Sequence, residues 1–445
     1  MYRNRISENR AANIGIPRFV PPAGTPFEFS LLRGCSRGLF CSHRTEEFLT
    51  SFAAHLQVRY AFGVSSGRAA LAVILRALHR LRPNRQTVAL PAYTCFSVPA
   101  AVVRAGLRLK LVEMDLDTLD LDRHRLHESL GNDVLCVVTS SLFGLVNDVP
   151  GLRNIARGND VFVVDDAAQS FGAVRYGRAS GTLGDVGFYS LGRGKPLAGE
   201  GGIIVTDSEE IANVLQKELM LLPNMVWSQN AAVFVRLMIS FALLDPRLYW
   251  IPNSLPFLKL GKTEFAPWFD MTDVAPVSSA LLMPMLDKIQ EANRRRLQTA
   301  MRLLQMVEGS PAFRSVKIEQ DYQPTYLRFP VVANTETIRN KAVFEFHRAG
   351  IGATSFYPSA ICDIGGIGCY MSGNHFHRPA AETLSRRLLT LPTHPLVEDQ
   401  DLQRIAEIFG KLQTGSREFA AQPTIPLIDK KESGYASTSL HARFQ

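Results

Sequence analysis

The chain has 445 residues, 46% hydrophobic and 20% charged, enough apolar material to bury a large core in two domains. Its 49 Lys and Arg against 41 Asp and Glu leave a net charge of +8, mildly basic. No dense Lys/Arg block is present, which argues against nucleic acid as a partner and suits an anionic, phosphate-bearing ligand as well.

Residues 1–18 are predicted to be a disordered arm. Its start, MYRNRISENRAANIG, lacks the apolar stretch of a signal peptide, and IPRFVPPAGTPFEF continues as a proline-punctuated extended segment. A large domain is then expected over 19–285. Residues 45–56 read as a helix and 60–64 as a strand. Ser65, Ser66, Gly67 and Arg68 open a further helix with apolar positions at Leu71, Leu75 and Leu78. A strand that runs into Ser-Gly at a helix N-terminus offers backbone N–H groups and a positive dipole end to an anion, so a phosphate seat falls here. The plainer alternative is an ordinary serine helix cap. Short strands follow at 88–90, 109–113 and 134–139 with helical stretches between them. That alternation predicts an α/β fold with a mostly parallel sheet covered on both faces.

The segment from Val161 to Gly202 carries the chemistry. An apolar run, Val161 to Val164, stops at Asp165 and Asp166; Gln169, a series of glycines and Ser190 follow, and the segment's single lysine is Lys195. Pyridoxal phosphate acts as an electron sink when its aldehyde is held on a lysine and its ring nitrogen stays protonated beside a carboxylate. Lys195 and Asp166 match those two needs. Gln169, three residues beyond Asp166, is placed to reach the ring hydroxyl, and Ser190, five residues before the lysine, to donate to the phosphate. The alternatives are two aspartates capping a helix beside a solvated lysine, or a nucleotide loop. The latter needs a glycine six residues before the lysine and Ser or Thr after it, where the chain has Tyr189 and Pro196.

Residues 202–206 read as a strand and 208–219 as a helix. An apolar insertion occupies 220–262, with Phe234, Leu237, Phe241, Leu244 and Leu248 on one predicted helical face. Its apolar run stops at Asp245-Pro246, too short to span a bilayer. A core or interface helix is expected, with peripheral membrane contact through 231–260 as the rival, since Arg236, Arg247, Lys259 and Lys262 flank the apolar residues. A long helix over 286–307 opens a smaller C-terminal α+β domain, 286–415, with a strand at 325–332 and a helix at 337–350. Tyr357 and His394 are its candidate substrate contacts. The tail, 416–445, is polar and predicted to be disordered. The six cysteines show no zinc-like spacing, so no metal is expected, and scattered thiols in a large chain fit a reduced, cytoplasmic protein.

The order VVDDAAQSFGA, GTLGDVGFYSLGRGK and GEGGIIVTD resembles the sugar aminotransferases of the DegT/StrS family, within the aspartate-aminotransferase-like, fold-type I pyridoxal phosphate enzymes. The likeness extends more loosely over most of the chain. It implies amino transfer from an amino acid, commonly glutamate, to a keto group on a nucleotide-linked sugar, for polysaccharide or lipopolysaccharide synthesis. It also implies a homodimer with sites at the interface. Asp166, Gln169, Ser190 and Lys195 fall on the family's cofactor positions. Three departures stand out. Arg68 replaces the usual threonine, Cys95 takes the place of an aromatic ring that stacks on the cofactor, and Trp268-Phe269-Asp270 stands where an Asn-x-Arg element is common. Tyr93 or Phe96 is then left to stack on the cofactor, and Arg68 to compensate for the missing asparagine. Related sugar dehydratases carry histidine in place of the lysine. A non-catalytic regulatory protein of the same fold is the remaining rival.

Overall fold

The computed structural model describes residues 18–25, 35–36, 38–39, 43–192, 194–254, 263–319, 322–373 and 378–420. The expected disordered arm before residue 18, the tail beyond 420, and Lys259 and Lys262 lie outside these.

Seven strands form the main sheet: β1 (Tyr60–Val64), β2 (Thr87–Pro91), β3 (Arg108–Val112), β4 (Val134–Val138), β5 (Phe162–Asp166), β6 (Val186–Ser190) and β7 (Gly202–Thr206). Their order is β1-β7-β6-β5-β4-β2-β3. The pairs β2–β3, β2–β4, β4–β5 and β5–β6 are parallel, while β7 runs antiparallel to both β1 and β6. Sequences such as VLCVV and GIIVT are apolar without alternation because helices bury both faces.

Those helices are α1 (Arg44–Leu56), α2 (Gly67–Leu81), α3 (Ser97–Arg104), α4 (Arg123–Ser129), α5 (Val149–Arg157), α6 (Glu209–Leu219), α7 (Trp227–Leu243) and α8 (Pro276–Leu286). Beyond α9 (Ile289–Val307), a second sheet forms from β8 (Phe313–Ser315), β9 (Arg328–Ala333) and β10 (Leu388–Pro392), all antiparallel. Helices α10 (Glu336–Arg348), α11 (Pro379–Arg387) and α12 (Asp399–Ala420) flank it. The α/β class with a mainly parallel sheet is therefore the observed one.

Three elements differ from expectation. The helix foreseen over 286–307 begins only at Ile289, after a separate α8 that contains Pro284. The last helix runs to Ala420, past the start of the expected tail. In α7 the inward face is Asn230, Val233, Leu237 and Phe241, whereas Leu248 is 43% exposed. The turn at Asp245-Pro246 ends the helical phase that would have carried Leu248 onto that face. Among the described residues no helix is long and apolar enough to cross a membrane.

The arm 18–25 runs along the second sheet. Val20 bridges Ile351, Phe19 N–H donates to Pro246 O at 2.8 Å, and Thr25 Oγ1 lies 3.4 Å from Lys195 O.

Candidate active site

In a parallel sheet the loops beyond the C-terminal strand ends define the site. Here β2, β4, β5 and β6 end at a cavity of about 220 Å³, whose wall includes Ser66, Gly67, Arg68, Cys95, Asp166, Gln169, Ser190 and Lys195. Seven of the nine residues expected at the cofactor are in that wall; Tyr93 and Phe96 are not.

Asp166 closes β5. Its Oδ1 accepts the Ala168 N–H at 2.9 Å, and burial pushes its carboxyl up to about 6 against the pull of that N–H and of Lys195. Alternation along the strand sends Asp165 to the opposite face, where its Oδ2 accepts Gly181 N–H at 2.7 Å and Leu183 N–H at 3.2 Å. Of the two carboxylates, one belongs to the cavity and the other organises the glycine loop. Lys195 follows Gly194, whose φ of +71° is a left-handed conformation that favours glycine. Desolvation pulls the Lys195 ammonium below its usual range, opposed by Cys95 and Asp166 and assisted by Arg328.

Helix α2 starts at the cavity. Ser66 Oγ caps it by accepting the Ala69 N–H at 3.2 Å, so the plain capping role is real. The backbone N–H groups of Gly67 and Arg68 still have no acceptor within the helix. A Cβ at residue 67 would lie 2.7 Å from Ser190 Cβ, so glycine is what lets the helix start approach Ser190. Gln169 is held from both sides: Phe143 N–H donates to its Oε1 at 3.2 Å, and its Nε2 donates to Tyr357 Oη at 2.9 Å.

The remaining candidates sit elsewhere. Tyr93 is fully buried, its hydroxyl donating to Phe356 O and accepting the Tyr357 N–H. Phe96 packs against Tyr357 with ring centroids 6.5 Å apart. Tyr357 is not in the wall but hydrogen-bonds Gln169, which is. His394 is buried outside the wall, with Nε2 2.8 Å from Pro21 O, and burial drops its imidazolium to about 4. Sequence reasoning passed over Thr94, Ser97, Ser140, Ser141 and Phe188, which also line the cavity. The β4 sequence VLCVV running into Thr-Ser-Ser was the available signal, parallel to FVVDD in β5.

Lysine and carboxylate facing one cavity at the C-terminal edge of a mainly parallel, seven-stranded sheet define the class as a fold-type I pyridoxal phosphate enzyme. The model of the DegT/DnrJ/EryC1/StrS aminotransferase family matches residues 36–410, and the chain belongs to that family. It is 30% identical over 405 residues to the L-glutamine:2-deoxy-scyllo-inosose aminotransferase of Streptoalloteichus tenebrarius, covering 86% of this chain and 88% of that one. It is 31% identical to the GDP-4-keto-6-deoxy-D-mannose 3-dehydratase of Escherichia coli O55:H7, but over 38% of this chain and 45% of the dehydratase, less than half of that relative's length. The fold matches the sugar aminotransferase CalS13 from Micromonospora echinospora with a TM-score of 0.71 at 18% identity, covering 88% of this chain and 99% of that one.

The family's cofactor is pyridoxal 5′-phosphate, and the residues present fit it. A buried carboxylate, a desolvated lysine, unsatisfied N–H groups at a helix start and a Ser190 hydroxyl with no partner among the described residues surround one cavity. The chain's three departures from the family also have a place: Cys95 is in the wall, which Tyr93 and Phe96 do not line, and Arg68 meets Phe269.

Proposed function

We propose that the protein moves an amino group from an amino acid, L-glutamate, to the keto group of a sugar, nucleotide-linked, in the synthesis of polysaccharide, lipopolysaccharide or another glycan. The observation that carries this is the pairing of Lys195 and Asp166 across one cavity. When bound, pyridoxal phosphate supplies the electron sink that makes a proton at the donor's α-carbon removable. The chain's residues do the rest. Asp166 holds the ring nitrogen through a buried charge, Gln169 orients the ring hydroxyl, and Ser66, Gly67, Arg68 and Ser190 bind the phosphate. Lys195 Nζ takes the α-proton and returns it on the other side of the reaction, and desolvation helps by shifting the amine toward its neutral, accepting form. The phosphate and ring contacts fix the cofactor so that this proton moves over a short path.

A homodimer is part of the reading. Trp268, 75% exposed beside Phe269, and Trp227, 64% exposed, are large apolar groups of the kind that mark interfaces. The cytoplasm is the proposed compartment, supported by the free thiols Cys35, Cys95, Cys136, Cys362 and Cys369. Dehydration of a sugar is the second reading, favoured by the dehydratase relatives. Lys195 argues against it, because those enzymes resemble this chain with histidine at that position.

The test is the visible absorption of the purified protein with pyridoxal phosphate, with and without L-glutamate or L-glutamine, beside Lys195→Ala. The wild type is expected to show a band that the amino donor bleaches, and the variant to lose the conversion by about 10³-fold or more. A band that no amino acid changes, in a protein that removes a hydroxyl from a keto sugar, would hand the function to the dehydratase reading. No band at all would leave a binding or regulatory protein.

A further inference from the structure

Arg68 is the second residue of α2, and its side chain is in the cavity wall although α2 has no other charged group in its first turn. The guanidinium lies over the Phe269 ring, 4.5 Å from the centroid. Among the described residues it makes no hydrogen bond to a carboxylate; Asp270 attracts it only at longer range, and partial burial works against its charge. A cation held over a ring with its donors unspent is poised for an incoming anion.

The ring that holds it is itself fixed. Arg104 Nε donates to Phe269 O at 3.3 Å, and Arg104 also lies over Trp268 at 5.8 Å. Three residues beyond Phe269, Thr272 N–H donates to Ser65 Oγ at 3.1 Å while Ser65 N–H donates to Thr272 O at 2.9 Å. The loop 268–272 is thus tied to the end of α3 through Arg104 and to the start of α2 through Ser65, and Phe269 lies between these two ties.

We infer that Arg68 is the charged ligand of the cofactor phosphate and that Phe269 is its positioning residue, so that one subunit supplies the phosphate's counter-charge by itself. The inference rests on the reading that the cavity holds pyridoxal phosphate. A guanidinium donates two parallel hydrogen bonds to phosphate oxygens, which a hydroxyl or a single ammonium does not. Contact with the ring restrains the guanidinium before the phosphate arrives, so less freedom is lost on binding.

The experiment compares cofactor-free wild type, Arg68→Thr, Arg68→Lys and Phe269→Leu. Dissociation constants are measured for pyridoxal phosphate, for pyridoxal lacking the phosphate, and for inorganic phosphate by calorimetry. Arg68→Thr is expected to weaken pyridoxal phosphate and inorganic phosphate by roughly ten- to a hundredfold and to leave pyridoxal unchanged. Arg68→Lys keeps the charge and falls between; Phe269→Leu, which keeps the charge and loses the shelf, weakens the phosphate ligands by about two- to fivefold. Because Arg68 is exposed in the subunit, its variants are expected to melt as the wild type does. Equal affinity of wild type and Arg68→Thr for pyridoxal phosphate, with both preferring it to pyridoxal, would overturn the inference and leave the aminotransferase reading standing. A wild type that binds neither aldehyde would overturn both.

Discussion

Asp166 is buried at the end of β5, and the removal of water from its carboxyl moves it from the usual 3.8 to about 6. A carboxyl whose folded value is raised favours folding fully below its unfolded value, and that contribution is lost as pH rises through about 6. A cationic ring nitrogen beside it reverses the preference, since it stabilises the ionised form. Cofactor binding therefore draws on the ionised carboxylate, and its affinity should fall below pH 6 by up to about tenfold per unit. Asp120 and Asp165 are also raised to about 6, so the stability of the cofactor-free protein alone does not isolate Asp166. The difference in melting temperature with and without cofactor, measured from pH 5 to 8, does. Wild type should gain more from cofactor at pH 7.5 than at pH 5.5, and Asp166→Asn should show a flatter profile; identical profiles would remove Asp166 from the ring nitrogen. This residue was legible in the sequence because strand, carboxylate and lysine lie within one short segment. The choice of Asp166 over Asp165 rests on the resemblance, which puts Asp166 on the family's cofactor position, and the cavity does include Asp166. The environment of Cys95 was not, because whether Tyr93 or Phe96 turns toward the cofactor depends on Phe356 and Tyr357, more than 250 residues away in sequence.

Helix α7 shows how an element reads differently from its residues. Its apolar composition suggested a membrane-surface helix as one possibility, yet its inner face is packed with Val233, Leu237 and Phe241 and includes the buried Asn230. Asn230 Nδ2 donates to Gly38 O at 3.0 Å and its Oδ1 accepts Val277 N–H at 3.1 Å, joining the helix to α8. On the outer side Arg236 forms a two-pronged pair with Glu200, at 2.9 and 2.7 Å, and Glu200 N–H donates to Ser278 Oγ at 3.1 Å. The helix thus braces the loop that follows Lys195. Leu237→Ala should lower unfolding stability by about 2–5 kcal/mol, and Asn230→Ala by about 1–3 kcal/mol because it leaves a buried carbonyl and N–H unpaired. Val235→Ser, at a position 53% exposed, should stay within about 0.5 kcal/mol. Urea denaturation of the three variants checks the order; equal, small effects would mean that α7 is not packed and would revive the membrane reading. The sequence carried the helix and its apolar character but not its phase. Leu244 and Leu248 extended the apparent stripe past the point where Asp245-Pro246 turns the chain.

At the scale of the whole molecule, the arm 18–25 is the piece that composition left most featureless and that touches the most distant parts. At one end Arg18 Nη2 donates to Leu396 O at 2.9 Å and to Asp401 Oδ2 at 3.0 Å, a carboxylate with no solvent exposure that also receives Arg404. In the middle Val20 bridges Ile351 and Pro21 O meets His394, which makes His394 a strap for the arm. At the other end Thr25 Oγ1 reaches Lys195 O at 3.4 Å. The second sheet is thereby connected to the lysine loop by a short extended segment, and Arg18 is the anchor that keeps it taut. Arg18→Ala should reduce stability by about 1–3 kcal/mol through the loss of a charge-assisted contact to a buried carboxylate. Its more telling effect belongs to the loop. Amide hydrogen exchange around residues 192–201 should quicken relative to wild type, and pyridoxal phosphate should dissociate faster, while β4 and β5 stay protected. If exchange quickens only around residues 396–404 and cofactor release is unchanged, the arm is a local clasp on α12 and the lysine loop holds its geometry through Glu200 and α7 alone.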